Sequence, residues 1–189
     1  REHGVGHMLC VCIDLEHLDD VLTPARQFDF VTASVGVHPH DAGNCSQTVL
    51  KSLVKLAQSP KVRAWGEIGL DFNRMYSPRK DQEKWFNRQL EIAEELDLPM
   101  IFHERDSNGR FIELLRAHAD AGLRGVIHCF SGSFEELVRY LEFGLYVGIT
   151  GILTMKQRGA ALREMVTTIN ETAGQVSSAA KQTQVTAEH

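Results

Sequence analysis

Three short segments each deliver a carboxylate or an imidazole at the end of an apolar, strand-like run. The segments are residues 65–71, 99–105 and 125–130. Their candidate ligands are Glu67, His103 and His128. Glutamate oxygen and neutral imidazole nitrogen suit Zn²⁺, Mn²⁺ and other divalent ions, and a carboxylate can bridge two ions about 3.5–4 Å apart. One strand-end histidine would more often bind a loop carbonyl, but three equivalent positions predict a metal centre.

Two metal ions favour cleavage of phosphoesters, because they activate a water and stabilise the leaving oxygen. Arg105 could pair with a phosphate oxygen, and Asn73 could contact the same group. His38 and His40 flank a proline, so a turn could place them for its own shape as easily as for ligation. The roles of Asp71 and Glu104 stay open.

The composition is that of a globular domain. The chain has 189 residues, of which 43% are hydrophobic and 24% charged, enough for one sizeable core. No apolar run approaches the ~18 residues of a membrane helix and no signal peptide opens the chain, so we expect a cytoplasmic protein. The four cysteines lack zinc-knuckle spacing and are expected to be reduced. The net charge of −5 argues against a broad basic surface, so any nucleic-acid chemistry must be local.

Strand-like and helix-like segments alternate along the chain. Strands are predicted at residues 8–13, 32–37, 62–70, 100–103, 125–130 and 146–150. Helices are predicted at residues 15–28, 45–58, 78–98, 107–122 and 134–143, and from about 156 to 169. The alternation implies a parallel sheet, which could be doubly wound or part of an eight-fold barrel. Candidate ligands at successive strand ends, without a glycine-rich loop after the first strand, favour the barrel.

Five segments together resemble the TatD-like metal-dependent hydrolases, often described as TatD deoxyribonucleases. The matching segments are GVHPHD (36–41), GEIGLDF (66–72), PMIFHER (99–105), VIHCFSG (126–132) and GITG (148–151). They occur in the family's order and spacing, and the resemblance covers roughly residues 5–168.

The resemblance implies an α/β fold of the TIM type, a (β/α)8 barrel, and a divalent-metal phosphodiesterase that trims DNA ends. Glu67, His103 and His128 fall on the family's metal-ligand positions, and Glu67 is expected to be catalytic. We expect Arg105, His38 and Asn73 to contact the substrate. The expected ions are Mg²⁺, Mn²⁺ or Zn²⁺, two of them in a complete family member. DNA is the expected substrate, with no membrane and no obligate protein partner.

The resemblance also implies departures from the family. The family's opening His-x-His strand and its late Glu-Ser/Thr-Asp strand have no counterpart, so residues 1–169 are expected to form about six of eight units. Residues 170–189 are rich in Ala, Thr, Ser and Gln and are expected to be a separate polar tail. A barrel that does not close exposes two strand edges, so we expect impaired activity.

Two other functions stay open. A related metal-dependent barrel could hydrolyse amides, lactones or phosphotriesters, although no lysine stands at a predicted strand end to form the carbamylated bridge that would favour this. The polar tail would also suit a non-catalytic fragment that binds a partner.

Overall fold

The computed structural model describes residues 4–156, 159–160 and 162–169, and it confirms the predicted alternation of strands and helices. The strands are β1 (Met8–Cys10), β2 (Val31–Val35), β3 (Val62–Asp71), β4 (Met100–Arg105), β5 (Gly125–Ile127) and β6 (Tyr146–Val147). The helices are α1 (Leu18–Gln27), α2 (Gln47–Ala57), α3 (Arg79–Glu95), α4 (Arg110–Ala117) and α5 (Phe134–Glu142). Short 3₁₀ helices lie at Pro39–Asn44, Ala119–Ala121 and Gly151–Thr154.

The order of the strands decides between the two predicted architectures. All six strands are parallel and lie in sequence order, β1-β2-β3-β4-β5-β6. A doubly wound sheet reverses its strand order at a switch point, whereas a barrel adds each new strand beside the last. The described strands therefore form a curled, open part of a TIM-type barrel, as predicted.

The core lies between the sheet and the helices that cover it. Strand β3 is buried along almost its whole length, as expected for a central parallel strand. Phe111 of α4 stacks on Phe86 of α3, with ring centres 5.0 Å apart, and meets Phe102 of β4 edge-on at 5.6 Å. Aromatic pairs of this geometry add about 0.5–1.5 kcal/mol beyond the burial of their area. This cluster fixes β4, which carries His103, against its helices.

Local signals place several helix ends where the sequence predicts them. Helix α5 begins with a capping box, in which Ser133 accepts from the amide of Glu136 and the Glu136 side chain accepts from the amide of Ser133. Gly122 and Gly144 follow helical segments with φ values of 74° and 75°, a conformation that glycine adopts at little cost.

The chain divides after Gly148 into two compact units. In the second unit, residues 162–169 are helical and the Arg163 guanidinium donates to the carbonyl oxygens of Leu153, Met155 and Lys156. The predicted polar tail, residues 170–189, lies outside the described residues, and the division into 1–169 and 170–189 stays a prediction. Among the residues that the structure describes, no helix is long and apolar enough to span a membrane.

Candidate metal centre

Five polar side chains converge toward the carboxyl ends of β2, β3 and β4. His38 and His40 lie in the loop that follows β2, Glu67 and Asp71 belong to β3, and His103 belongs to β4. The carboxyl ends of parallel strands meet at one rim of a barrel, and enzymes of this architecture keep their reacting groups there. The fold therefore gathers residues that are up to 65 positions apart in the chain.

The imidazole of His103 lies at the middle of this group. Its Nδ1 is 3.0 Å from Oε1 of Glu67 and 3.2 Å from Nε2 of His38. Its Nε2 is 3.2 Å from Oδ2 of Asp71, and the same oxygen lies 2.8 Å from Nε2 of His40. One ligand atom from each of His38, His40 and His103 lies within 4.8 Å of the other two, which is the spacing of a group that could hold a metal ion. We call these five residues the strand-end cluster.

The electrostatics of the strand-end cluster suit a cation. Burial would raise the pKa of Glu67 and of Asp71, but their contacts with imidazoles and, for Asp71, with a backbone amide lower both, that of Asp71 to about 2. Burial, followed by the nearby charge of His103, lowers the pKa of His38 to about 3. Burial would also lower the pKa of His103, yet the carboxylates of Glu67 and Asp71 raise it. Ionised carboxylates and a neutral imidazole are the forms that bind metal ions, so the donor set fits a divalent ion.

Two buried glutamines of α3 hold the strand ends that carry the cluster. Gln89 accepts from the amide of Val37 at 2.7 Å and donates to its carbonyl oxygen at 3.0 Å, immediately before His38. Gln82 accepts from the amide of Asp71 at 2.8 Å and donates to its carbonyl oxygen at 3.1 Å. Each glutamine amide hydrogen-bonds to a backbone N–H and a backbone C=O, as a neighbouring strand would. Helix α3 therefore supplies hydrogen-bond partners for the backbone of Val37 and Asp71.

Close contact of two main chains brings the second and third strands together beside the cluster. A Cβ atom added at Gly36 would lie 2.9 Å from the Cα atom of Gly66, closer than such atoms approach in proteins. Gly36 stands two residues before His38, and Gly66 directly precedes Glu67. The absence of a side chain at Gly36 lets the two main chains that carry these ligands approach each other, while a Cβ atom at Gly66 would instead meet Ile101 of β4.

The three predicted metal ligands do not occupy equivalent positions in the structure. Glu67 and His103 are in direct contact; Glu67 is buried and His103 is half-buried. His128 follows β5 in a turn and contacts the exposed Cys129, with 3.2 Å between Nε2 and Sγ. Burial raises the pKa of Glu67, and His128 lies near enough to lower it, after His103 and His38; its ring is outside the three-histidine group found among the described residues.

The predicted substrate contacts also lie at this rim. His38 belongs to the strand-end cluster itself, only 5% exposed. Arg105 is half-buried at the end of β4. Asn73 is exposed in the loop after β3, where its side-chain nitrogen donates to Oδ2 of Asp106 at 2.7 Å.

The sequence leaves open the roles of two members of the cluster, His40 and Asp71. Asp71 stands four residues after Glu67 in one strand, a spacing that puts both side chains on the same face, and this is the signal that could have found it. The position of His40 depends on the 3₁₀ helix Pro39–Asn44, which a His-Pro-His sequence does not specify.

An apolar cavity of about 600 Å³ lies at the opposite ends of the strands. Its lining includes Met100 and Gly125, the first residues of β4 and β5, and Leu9 and Tyr146 of the outer strands β1 and β6. The strand-end cluster is not part of its lining, so this cavity is separate from the candidate metal centre.

The fold and the cluster define a TIM-type barrel with a candidate metal centre, and comparisons with known proteins identify its family. A model of the family described as TatD related DNase matches residues 1–173. The chain is 39% identical over 163 residues to "3'-5' ssDNA/RNA exonuclease TatD" of Salmonella typhimurium, covering 86% of this chain and 63% of that protein. It is 41% identical over 167 residues to the protein of the same name from Erwinia tasmaniensis, covering 88% and 64%.

Solved structures agree with the sequence comparisons. The crystal structure of YJJV, a TatD homologue from Escherichia coli, superposes with a TM-score of 0.74 at 29% identity, over 86% of this chain and 63% of that one. A TatD-family hydrolase from Entamoeba histolytica superposes with a TM-score of 0.72 at 27% identity, over 79% and 53%. The chain belongs to the TatD-related DNase family, and it spans slightly less than two thirds of the length of the two bacterial exonucleases named above and about half of the Entamoeba histolytica protein.

Proposed function

We propose that this chain acts as a divalent-metal-dependent hydrolase of nucleic acid phosphodiester bonds, trimming single strands of DNA or RNA from the 3′ end. The observation that carries the proposal is the strand-end cluster, which joins three imidazoles and two carboxylates at the rim where barrel enzymes react their substrates. The names of the relatives supply the polarity and the single-stranded substrate.

We assign the metal ligands to Glu67, His103 and His128, with His40 and Asp71 at the same site. The ions proposed are Mg²⁺, Mn²⁺ or Zn²⁺, and a carboxylate such as Glu67 suits a pair of them. When bound, such ions polarise a phosphate oxygen and make a water molecule a better nucleophile at neutral pH.

The protein's own groups then have separate tasks. Glu67 and Asp71 keep negative charge at a buried position, which offsets the charge of the ions. Glu67 is the catalytic residue that we assign, because its carboxylate belongs to the cluster and can orient a water or accept its proton. Arg105, with its half-buried side chain at the end of β4, and Asn73 are assigned to the phosphate of the substrate. The cytoplasmic location stays a prediction.

End-labelled oligonucleotides test the proposal. DNA and RNA single strands labelled at the 5′ end are incubated with the protein and Mn²⁺, and the products are separated by length. We expect ladders that shorten from the 3′ end and that stop when a chelator is added. Glu67→Gln should slow the trimming by about 100-fold or more, because it removes a negative ligand and a proton acceptor at once.

Glu91→Gln is the matched control, since Glu91 lies on the outer part of α3 and pairs only with Arg88 in the described chain, at 2.6 Å. It should trim at the wild-type rate. Trimming by Glu67→Gln at the rate of the wild type, or trimming that survives chelation, would show that the assigned centre is not the reacting one. A folded wild-type protein that leaves every strand intact with each of the three ions would refute the proposed activity itself.

A further inference from the structure

An exposed tyrosine stands directly beside the strand-end cluster. The side chain of Tyr76 is 65% exposed, and its ring meets that of His40 edge-on, with centres 4.7 Å apart. His40 in turn contacts Asp71 of the cluster. Tyr76 is therefore one ring away from the candidate metal centre and yet gives most of its surface to solvent.

Arg74 accompanies this ring. Its Nη1 donates to the phenol oxygen of Tyr76 at 3.2 Å, and its guanidinium carbon lies 6.0 Å from the ring centre. The pair presents a flat apolar face with a positive charge at one edge. A stacked base and its phosphate have the complementary shape and charge.

Hydrogen bonds on both sides of the pair hold the loop that carries it. Oδ1 of Asp71 accepts from the amides of Asn73 and Arg74, at 3.0 and 2.8 Å. The buried hydroxyl of Ser77 donates to the carbonyl oxygen of His40 at 2.6 Å and accepts from the amide of Gly43 at 2.8 Å. Tyr76 is thus held between two anchors, and its exposure does not come from a loose loop.

We propose that Tyr76 and Arg74 form a stacking platform for one nucleobase of the strand whose phosphate reaches the metal centre. This inference rests on the proposed function and adds to it a means of substrate selection. A base can offer its face to Tyr76 only when it is free of its neighbours, so the platform favours unpaired ends. Stacking on an aromatic ring is tolerant of sequence, since every base has a π-face, so the platform selects strandedness and not sequence.

Binding measurements with a base-free probe test the platform. A fluorescein-labelled oligothymidylate and the same strand made of abasic residues are titrated with protein, and the dissociation constants are read from anisotropy. Tyr76→Ala should weaken binding of the thymidylate by about 5- to 100-fold, the range for losing one base–aromatic stack. Tyr76→Phe and Tyr76→Trp should bind within about twofold of the wild type, because they keep an aromatic face.

The abasic strand separates stacking from other roles of the ring. It should bind the wild type and Tyr76→Ala equally weakly, because neither complex has a stack to lose. Tyr146→Ala is the matched control: Tyr146 is 77% exposed but lines the cavity at the other ends of the strands, so its removal should change nothing.

Three results would overturn the inference. Tyr76→Ala could bind as the wild type does, Tyr76→Phe could lose as much as Tyr76→Ala, or Tyr76→Ala could weaken the abasic strand as strongly as the thymidylate. In each case trimming that remains sensitive to Glu67→Gln keeps the proposed function while the platform fails. Failure of the folded wild type to bind either strand would refute both together.

Discussion

We predict that Asp71→Asn destabilises the protein and weakens its binding of Mn²⁺. The wild-type carboxylate is only 1% exposed. One of its oxygens accepts from two backbone amides, and the other lies 2.8 Å from His40 and 3.2 Å from His103. An asparagine keeps one oxygen for the amides but turns a neutral –NH₂ group toward the two imidazoles.

The loss can be estimated from these contacts. Hydrogen bonds to a charged group contribute about 1.5–3 kcal/mol and neutral ones about 1 kcal/mol, so the free energy of unfolding should fall by about 2–4 kcal/mol without metal. For a chain of this size that lowers the melting temperature by about 5–15 °C. At a concentration 100 times its dissociation constant, Mn²⁺ should stabilise the wild type by about 2.7 kcal/mol. If the lost carboxylate weakens binding by about 10- to 100-fold, the same concentration should stabilise the variant by about 0.4–1.4 kcal/mol.

The assay is urea unfolding of both proteins, each with chelator and with Mn²⁺, followed by circular dichroism. Asp29→Asn is the matched control, because Asp29 is fully exposed and its ion pair with Lys61 is long, 3.8 Å. It should unfold like the wild type under both conditions. Full stabilisation of Asp71→Asn by Mn²⁺, or an unchanged free energy of unfolding in chelator, would refute the reasoning about the cluster.

Two further predictions concern parts of the chain outside the centre. His118→Ala should lower the free energy of unfolding by about 1–3 kcal/mol, because the His118 ring joins α3 to the segment after α4 through Glu94 at 2.8 Å and Asn87 at 3.0 Å; urea unfolding measures it. With iodoacetamide at pH 8, the exposed Cys129 should be labelled long before Cys45, as read by peptide mass spectrometry. Burial raises the pKa of the Cys45 thiol to about 12, so the reactive thiolate at pH 8 is on the order of one molecule in ten thousand.

Each of these two predictions has a clear opposite result. The control substitution His7→Ala, on the exposed N-terminal segment, should leave the free energy of unfolding unchanged. If His118→Ala also leaves it unchanged, the His118 ring does not stabilise the contact between α3 and the segment after α4. Cys45 that reacts as fast as Cys129 without denaturant would contradict its burial.

The strands were predictable from sequence where the whole element is buried, and less so at the edges. Strand β3, predicted at 62–70, is observed at Val62–Asp71, because a central parallel strand is buried on both faces and is therefore rich in apolar residues. Strand β1 was predicted at 8–13 but ends at Cys10, and the amide of Cys12 bonds instead to the hydroxyl of Ser34. A side-chain partner of this kind leaves no trace in a periodic pattern.

Helix α4 shows the same limit. The sequence predicted one helix over 107–122, whereas α4 spans Arg110–Ala117 and a 3₁₀ helix follows at Ala119–Ala121. The first residues of the predicted helix form a turn instead, in which Asn108 and Gly109 have φ values of 52° and 85°. Residues 107–110 are polar or glycine and the apolar period begins only at Phe111, so that period could not mark the true helix start.

In the candidate site, two of the three metal ligands predicted from the sequence, Glu67 and His103, belong to strands. Glu67 and His103 stand at the ends of regular runs, and the paired strands bring them into contact. The place of His40 depends on a loop that is held by a distant residue, Ser77, and that of Tyr76 on the turn that Asp71 closes with the amides of Asn73 and Arg74. No spacing rule along the chain encodes such cross-links.

The missing side chain at Gly36 sets the distance between two of the main chains that carry the centre. The gap between the second and third strands is fixed by backbone touching backbone, and no rotamer can relax to widen or narrow it. The spacing of the two main chains that carry His38 and Glu67 is therefore set by backbone contact. A methyl group at Gly36 would push apart the two main chains that carry these ligands. Every atom that could bind the ion would stay chemically intact.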